Sequence, residues 1–418
     1  MIENINMLNQ NALKIAAVAF VLGCAYYVKG QDKPLTLYGG AQIWMRYTQL
    51  NPGSTVGADT YNETFDISVR RYRLGVKGSP YENISYNLQI GNNNLSRYNK
   101  DQPPKLLDAY VSYAFSEKLI LTGGKHAWTG LSRYGAPSTF SALGADINYS
   151  ATPALNVHDD FMRRLAMAIH GRLGKLDYRL VASKPFISSS QPLSDKAAFT
   201  DNPTAMNFAG YFKLQFKDKE SLSSAFTPWT YLGKKEIFNI GAGLIYQSAA
   251  TETLATNGDT ITHTMLSFAA DIFYEAPLGK NTWTFYAAYI NHDLGPHFIR
   301  YIGANNPASG STHKLTLNGK GNSFPEAGTG QVFLGQVAIL KQLNEHAIQP
   351  NLTLEIGDFE ALEDPMVLVQ AGVNYLLGGH KSKLSLMYQN RPVFIDEGEG
   401  AMVDSRKSMA VLQYQIRF

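Results

Sequence analysis

Residues 410–418, AVLQYQIRF, alternate between two kinds of side chain. Apolar and aromatic residues occupy the even-numbered positions, and Gln413, Gln415 and Arg417 stand between them. Successive side chains of a β-strand point to opposite sides of the sheet, so a period of two indicates a strand with one apolar face. Residues 35–46 and 238–247 repeat the pattern, which therefore extends well beyond this one stretch.

Alternating segments of this kind follow one another from Pro34 to the end of the chain. We count sixteen, at about residues 35–49, 64–78, 84–95, 105–116, 119–126, 162–173, 176–185, 207–217, 235–248, 264–275, 282–292, 331–342, 349–358, 366–377, 382–390 and 409–418. A tilted strand needs about 9–11 residues to cross a bilayer, whereas strands in soluble proteins average about 5–6. The lengths favour an all-β fold, an antiparallel transmembrane β-barrel of about 16 strands.

The connections between these segments alternate in length. The second, fourth, sixth and fourteenth are short, and the first, third, fifth, seventh, eleventh and fifteenth are long. Bacterial outer-membrane barrels have short periplasmic turns and long external loops, so the alternation agrees with the strand count. The eighth connection, residues 218–234, is the exception, a long turn on the short side.

The amino-acid composition limits the classes of protein to which the chain can belong. Only 17% of the 418 residues are charged, 12% are aromatic, and the formal net charge is +3. So many aromatic residues exclude a disordered chain, and the small net charge gives no reason to expect a nucleic-acid partner. A soluble β-sandwich or propeller is the alternative fold, but its strands would be shorter and aromatic residues would not gather at strand ends.

The long apolar run at residues 15–28 contains Cys24, the only cysteine of the chain. The run is too short for a spanning helix, and a small residue, Gly30, follows it at the expected cleavage site. Both features are typical of a secretory signal. We predict a signal peptide at residues 1–30, cleaved before Gln31, and a single barrel domain at residues 31–418. Lipidation at Cys24 is the alternative, although Leu22 fits a lipobox poorly.

Several stretches resemble one family. They are residues 68–78 (SVRRYRLGVKG), 107–113 (LDAYVSY), 121–125 (LTGGK), 230–235 (TYLGKK) and 239–243 (NIGAG). Together with the terminal Phe418, which resembles the sorting signal of bacterial outer-membrane proteins, they are similar to the phosphate-selective porin O/P family. The resemblance implies a trimeric, sixteen-stranded diffusion channel whose third external loop, residues 127–161, folds inward. It also places the protein in the bacterial outer membrane, among lipid and lipopolysaccharide.

The alternation also predicts which charged side chains face the interior. Phe65, Ile67 and Val69 share one face of the second strand, but the phase slips by one before Tyr72. A β-bulge there would turn three arginines inward, whereas a regular strand would put two in hydrocarbon at about 2–4 kcal/mol each. We predict as pore-lining or selectivity residues Arg46, Arg70, Arg71, Arg73, Asp108, Lys125, Arg133, Arg164, Arg179, Lys213 and Glu355.

These patterns favour a water-filled channel for small hydrophilic solutes and ions, because sixteen strands enclose an aqueous lumen. The mixed charges of the lumen allow two outcomes. The pore could have a mild preference for anions or phosphate, or the opposite charges could produce a transverse field that orders water. We expect no enzyme activity, cofactor or metal, because the nine histidines are scattered and residues 123–126 lack the spacing of a phosphate loop. The alternative function is a barrel scaffold for a surface-protein or secretion complex, with residues 218–235 as a docking surface for outer-membrane partners.

Overall fold

Sixteen long strands build the protein in a computed structural model that describes residues 35–188, 194–201, 204–312, 317–396 and 400–418. They are β1 Thr36–Gln49, β2 Glu63–Tyr81, β3 Ile84–Ser96, β4 Lys105–Ser116, β5 Leu119–His126, β6 Arg164–Leu173, β7 Leu176–Lys184, β8 Asn207–Gln215, β9 Ile237–Leu254, β10 Thr260–Leu278, β11 Asn281–Asp293, β12 Gly330–Leu343, β13 His346–Phe359, β14 Met366–Leu376, β15 Ser382–Asp396 and β16 Ala401–Arg417. The strand count and every predicted segment are thus confirmed. The predicted signal peptide lies outside the described residues.

The strands close into a barrel. Each pairs antiparallel with its neighbour in sequence, and β1 also pairs with β16 from Gly40 opposite Arg417 to Thr48 opposite Met409. Closure pairs the backbone groups that an open sheet would leave exposed at its edges, which lipid could not satisfy. No helix among the described residues is long and apolar enough to cross a membrane.

Side chains on the outer surface are apolar. On β2, Phe65 and Ile67 are 63% and 60% exposed, whereas Arg71, which points inward, is 2% exposed. The same division holds on β16, where Leu412 and Ile416 are exposed and Gln413 and Gln415 are buried. The apolar outer face is therefore the one that hydrocarbon covers, as the alternation predicts.

The predicted bulge on β2 is confirmed. Gln42 of β1 lies opposite Arg71 and Ile43 lies opposite Val69, so Arg70 is the extra residue. Arg70, Arg71 and Arg73 are all buried inside the barrel.

Parts of several connections pack inside the barrel, and three of them border the cavity or its neighbourhood. L3 comprises residues 127–163, L6 comprises the described residues 294–312 and 317–329, and T4, on the turn side, comprises residues 216–236. L6 carries a small hairpin in which Ile299–Ile302 pairs with Phe324–Gly328. Side chains of L3 and L6 share one buried apolar cluster with inward-facing wall residues, among them Tyr134, Ile147, Phe298, Phe273 and Val332. The hydrophobic core thus lies inside the barrel, and the inward-folded third loop is confirmed.

Some strands run further than the sequence pattern predicts. The long fifteenth connection is mostly a continuation of β15 and β16, which pair as far as Asp396 opposite Ala401. Gly39 lies at the seam between β1 and the C-terminus. A Cβ at Gly39 would lie 2.7 Å from the Phe418 ring, so that ring covers the glycine.

Deleting Phe418 tests the closing seam. The Phe418 amide donates to the Gly39 carbonyl at 3.0 Å, and the Gly39 amide donates to the Phe418 carbonyl at 3.2 Å. Removing the residue leaves both Gly39 groups unpaired, so we expect no heat-modifiable barrel in the outer-membrane fraction. Phe418→Tyr, which keeps the ring and both backbone bonds, should assemble normally. A normal heat-modifiable band from the deletion variant would contradict this role.

Candidate functional site

A cavity of about 880 Å³ runs along the inner face of β1–β4. Thr36 and Ser79 border it near the end of the barrel that carries Phe418, and Asn94 and Asn305 border it towards the external loops. L3 and T4 form its opposite side. The apolar cluster includes wall residues of β9–β14, across the lumen from β1–β4, so the cavity lies towards one wall.

Basic side chains outnumber acidic ones in the lining of this cavity. Its eight basic residues are Arg70, Arg71, Arg73, Lys77, Arg163, Lys213, Lys235 and Arg417, and its two acidic residues are Asp108 and Glu220. Of the predicted site residues, the structure thus brings Arg70, Arg71, Arg73, Asp108 and Lys213 to one cavity.

L3 is attached to the bulge of β2 through Asp146. Arg70 donates to Asp146 at 2.8 Å and to the Tyr149 hydroxyl at 2.9 Å, and Arg71 donates to the other Asp146 oxygen. Burial opposes ionisation of Asp146, but the two guanidinium groups outweigh it and lower its pKa to about 2. The carboxylate is therefore ionised at neutral pH, and it offsets part of the charge of both arginines.

Arg73 differs from its two neighbours because it bonds only neutral groups. It donates to the Tyr72 and Asn92 carbonyls at 2.8 and 2.7 Å and to the Asn93 side chain at 2.6 Å. No carboxylate lies within ion-pair distance of Arg73, Lys77, Lys235 or Arg417 in the described part of the chain. Their charges in the lining are therefore unpaired.

Arg163 is a lining residue that the sequence prediction missed. It lies at the end of L3, immediately before β6, and pairs with Asp108 at 3.0 Å and with Gln89 at 3.1 Å. The predicted segment 162–173 contains Arg163, but β6 begins only at Arg164, so Arg163 belongs to L3 and the period of two does not orient it. Lys235 was missed for the same reason, since the predicted segment begins at residue 235 but β9 begins at Ile237, which leaves Lys235 in T4.

Arg46, Arg164 and Arg179 lie inside the barrel away from this cavity, whereas Lys125 lies opposite the exposed Leu165 on the outward face of the wall. Arg46 pairs with Asp66 at 2.8 Å, and Lys125 pairs with Asp160 at 2.7 Å. Arg164 is buried, and the Arg179 guanidinium lies 4.9 Å from the centre of the Tyr211 ring. The structure therefore separates these four from the cavity lining.

Arg133 and Glu355, also on the predicted list, hold L3 from two sides. Glu355 of β13 accepts a hydrogen bond from Asn148 of L3 at 2.5 Å. Arg133 of L3 donates two hydrogen bonds to Glu220 of T4 at 2.7 and 2.8 Å, and its guanidinium lies 3.7 Å from the centre of the Phe273 ring.

Glu220 is the centre of the contact between T4 and L3. Besides Arg133, it accepts hydrogen bonds from Lys213 at 2.6 Å, Tyr231 at 2.5 Å and Asn239 at 2.7 Å. Burial favours the neutral acid, but Arg133 and Lys213 outweigh it and lower the pKa of Glu220 far below its usual range. Five hydrogen bonds thus converge on one ionised carboxylate.

Aromatic and backbone contacts extend the same junction. The Tyr134 and Trp229 rings stack with their centres 4.0 Å apart. The Thr227 amide donates to the Ala136 carbonyl, and the Ser138 amide donates to the Thr227 carbonyl, both at 2.9 Å. T4 is therefore packed inside the barrel against L3, and this finding replaces the suggested docking surface at residues 218–235.

Comparison with known proteins agrees with this architecture. The family model described as phosphate-selective porin O and P matches residues 38–135 and confirms the resemblance over that part of the chain. A search of curated proteins finds no match.

Solved outer-membrane proteins share the fold over nearly the whole chain. The channel DcaP of Acinetobacter baumannii has a TM-score of 0.54 at 13% identity, covering 93% of this chain and 98% of its own. The anion-selective porin from Comamonas acidovorans has a TM-score of 0.51 at 10% identity, with coverages of 93% and 100%. OprB of Pseudomonas putida has a TM-score of 0.56 at 10% identity, with coverages of 92% and 94%.

Glu220→Gln tests whether the T4 junction maintains the narrow passage. The change keeps the side-chain volume but leaves Arg133 without its buried carboxylate, which costs about 3–5 kcal/mol for a buried pair. Lys213 keeps only the longer contact with Asp177, at 3.6 Å. We expect T4 to loosen from L3, with noisier and larger single-channel currents and faster protease cleavage within residues 216–236.

The matched control is Glu236→Gln in the same connection. Glu236 pairs with Lys217 at 2.7 Å, but both side chains are exposed, so the pair contributes only about 0.2–1 kcal/mol. Its currents and its cleavage rate should match those of the unchanged protein. Equal behaviour of the two variants would show that the Glu220 contacts do not hold the passage.

Proposed function

We propose that this protein is a bacterial outer-membrane porin, a channel for passive diffusion of small hydrophilic solutes and ions. The observation that carries the proposal is the elongated cavity between the β1–β4 wall and two inserted segments of a closed sixteen-stranded barrel. We include residues 31–418 in the barrel domain and keep residues 1–30 as a cleaved signal peptide. The family match and the shared fold support a channel rather than an enzyme.

Anion preference follows from the charges of the lining. Arginine keeps its charge at every physiological pH, and low-dielectric walls concentrate the field of a charged cleft. Asp146 offsets Arg70 and Arg71, Asp108 offsets Arg163, and no carboxylate among the described residues pairs with Arg73. The excess of unpaired positive charge favours anion preference over a balanced transverse field.

The scaffold alternative has less support. T4 contributes Trp229 and Glu220 to the interior of the barrel, where neither is accessible to a partner protein. In a channel, the buried contact between T4 and L3 has a direct role, because it determines how wide the passage is.

Arg73→Ser tests the anion preference. Arg73 contacts neutral groups only, so its loss removes positive charge without releasing Asp146 and L3. We expect the anion-to-cation permeability ratio, measured from the reversal potential across a KCl gradient, to fall. The fall should be larger at low salt, since the Debye length is about 30 Å at 0.01 M and about 3 Å at 1 M.

Arg97→Ser is the control for Arg73→Ser. Arg97 is an exposed arginine in the connection after β3 and does not line the cavity. It should leave the reversal potential unchanged. The same ratio in Arg73→Ser and in the unchanged protein would make Arg73 a structural residue.

We also propose a homotrimer embedded in outer-membrane lipid and lipopolysaccharide, as the family resemblance implies. The mass of the purified protein in mild detergent, determined by light scattering with the detergent subtracted, should be three times the chain mass. A mass equal to one chain under those conditions would contradict the trimer.

A further inference from the structure

Aromatic side chains make up a large part of the cavity lining. Eight of the lining residues are tyrosine or phenylalanine. They belong to both sides of the passage: Tyr38 and Tyr110 lie on the β1–β4 wall, Phe140 lies on L3, and Phe226 lies on T4. A lumen that carried only inorganic ions would gain nothing from them, because an exposed ring surface does not replace the hydration of a small ion.

Several of these rings lie beside basic side chains of the same cavity. The Arg163 guanidinium is 4.7 Å from the centre of the Phe226 ring, and the Lys77 amine is 5.7 Å from the centre of the Tyr38 ring. Arg417 lies 5.8 Å from the centre of the Phe140 ring. The lining thus repeats one unit, a positive charge next to an aromatic surface.

We propose that the preferred solute is an organic anion whose negative charge is attached to a planar apolar group, an aryl carboxylate being the simplest example. This inference rests on the proposed channel function and names its solute class. The guanidinium and ammonium groups attract the carboxylate, and the neighbouring rings pack against the aryl group. Chloride and inorganic phosphate can use only the first of these contacts.

Phe226 is the ring best placed for this role. It lines the cavity and is half-buried, so part of its surface is open to the passage. Its position is set by T4, which Glu220 joins to L3, and by the backbone bond between the Thr227 amide and the Ala136 carbonyl. The neighbouring Arg163 guanidinium is held by Asp108 and Gln89. The carboxylate of the solute is therefore attracted by the unpaired cations of the lining, Arg73, Lys77, Lys235 and Arg417.

The experiment compares two carboxylates that differ in the ring. The reconstituted protein is placed between potassium chloride and either potassium benzoate or potassium acetate, and reversal potentials give each permeability relative to chloride. Benzoate is larger than acetate and diffuses more slowly in water, so an inert aqueous pore favours acetate. We expect this protein to favour benzoate.

Phe226→Ser is the diagnostic variant. It should lower the benzoate-to-acetate permeability ratio by about 2- to 10-fold, the factor that corresponds to loss of one aromatic pair. The chloride conductance should be retained. Ser223→Ala, a change at another cavity-lining position of T4 that has no ring, should leave the ratio unchanged.

The outcomes separate the two proposals. A protein that conducts KCl but favours acetate retains the channel function and overturns the aryl preference. A ratio unchanged in Phe226→Ser, or a loss of all currents alike, removes the role assigned to this ring. Absence of conductance in every salt from the unchanged, correctly assembled protein would overturn the channel function itself.

Discussion

The constraint on which the structure depends is that hydrocarbon offers no hydrogen-bond partner to a backbone. Every strand must pair on both sides, which requires closure, and the β1–β16 ladder provides it. Hydrocarbon also accepts only apolar side chains on the outer face of the barrel, so the charged side chains of the strands point inward. The bulge at Arg70 shows how strictly this holds: one extra residue shifts the phase of β2 and keeps three arginines out of the membrane.

The same constraint explains what could be predicted from the sequence. Residues within a strand have their orientation set by the lipid on one side, so the strand count, the bulge and the inward orientation of Asp108 and Lys213 follow from a period of two. Residues of the loops have no such reference. Arg163 and Lys235 fall at the edges of predicted segments, but the strands begin one and two residues later, and both side chains reach the cavity from L3 and T4. The bond between Arg133 and Glu220 joins residues 87 positions apart, so no local pattern contains it.

The strand extensions were missed for a related reason. Beyond the membrane, β15 and β16 still pair, but their outer faces meet water and the apolar alternation fades. The environment of Gly39 is likewise beyond the reach of a local pattern. Only the closed structure brings the Phe418 ring over that glycine.

The segments that narrow the lumen also set its charge. L3 brings Asp146 to Arg70 and Arg71, and T4 brings Glu220 to Arg133 and Lys213, so each inserted segment covers positive charges as it fills space. What remains unpaired in the lining is determined by where these two acids are placed. Selectivity is therefore a property of the assembled lumen, because moving L3 or T4 would widen the passage and expose buried arginines at the same time. Width and charge cannot vary independently in this barrel.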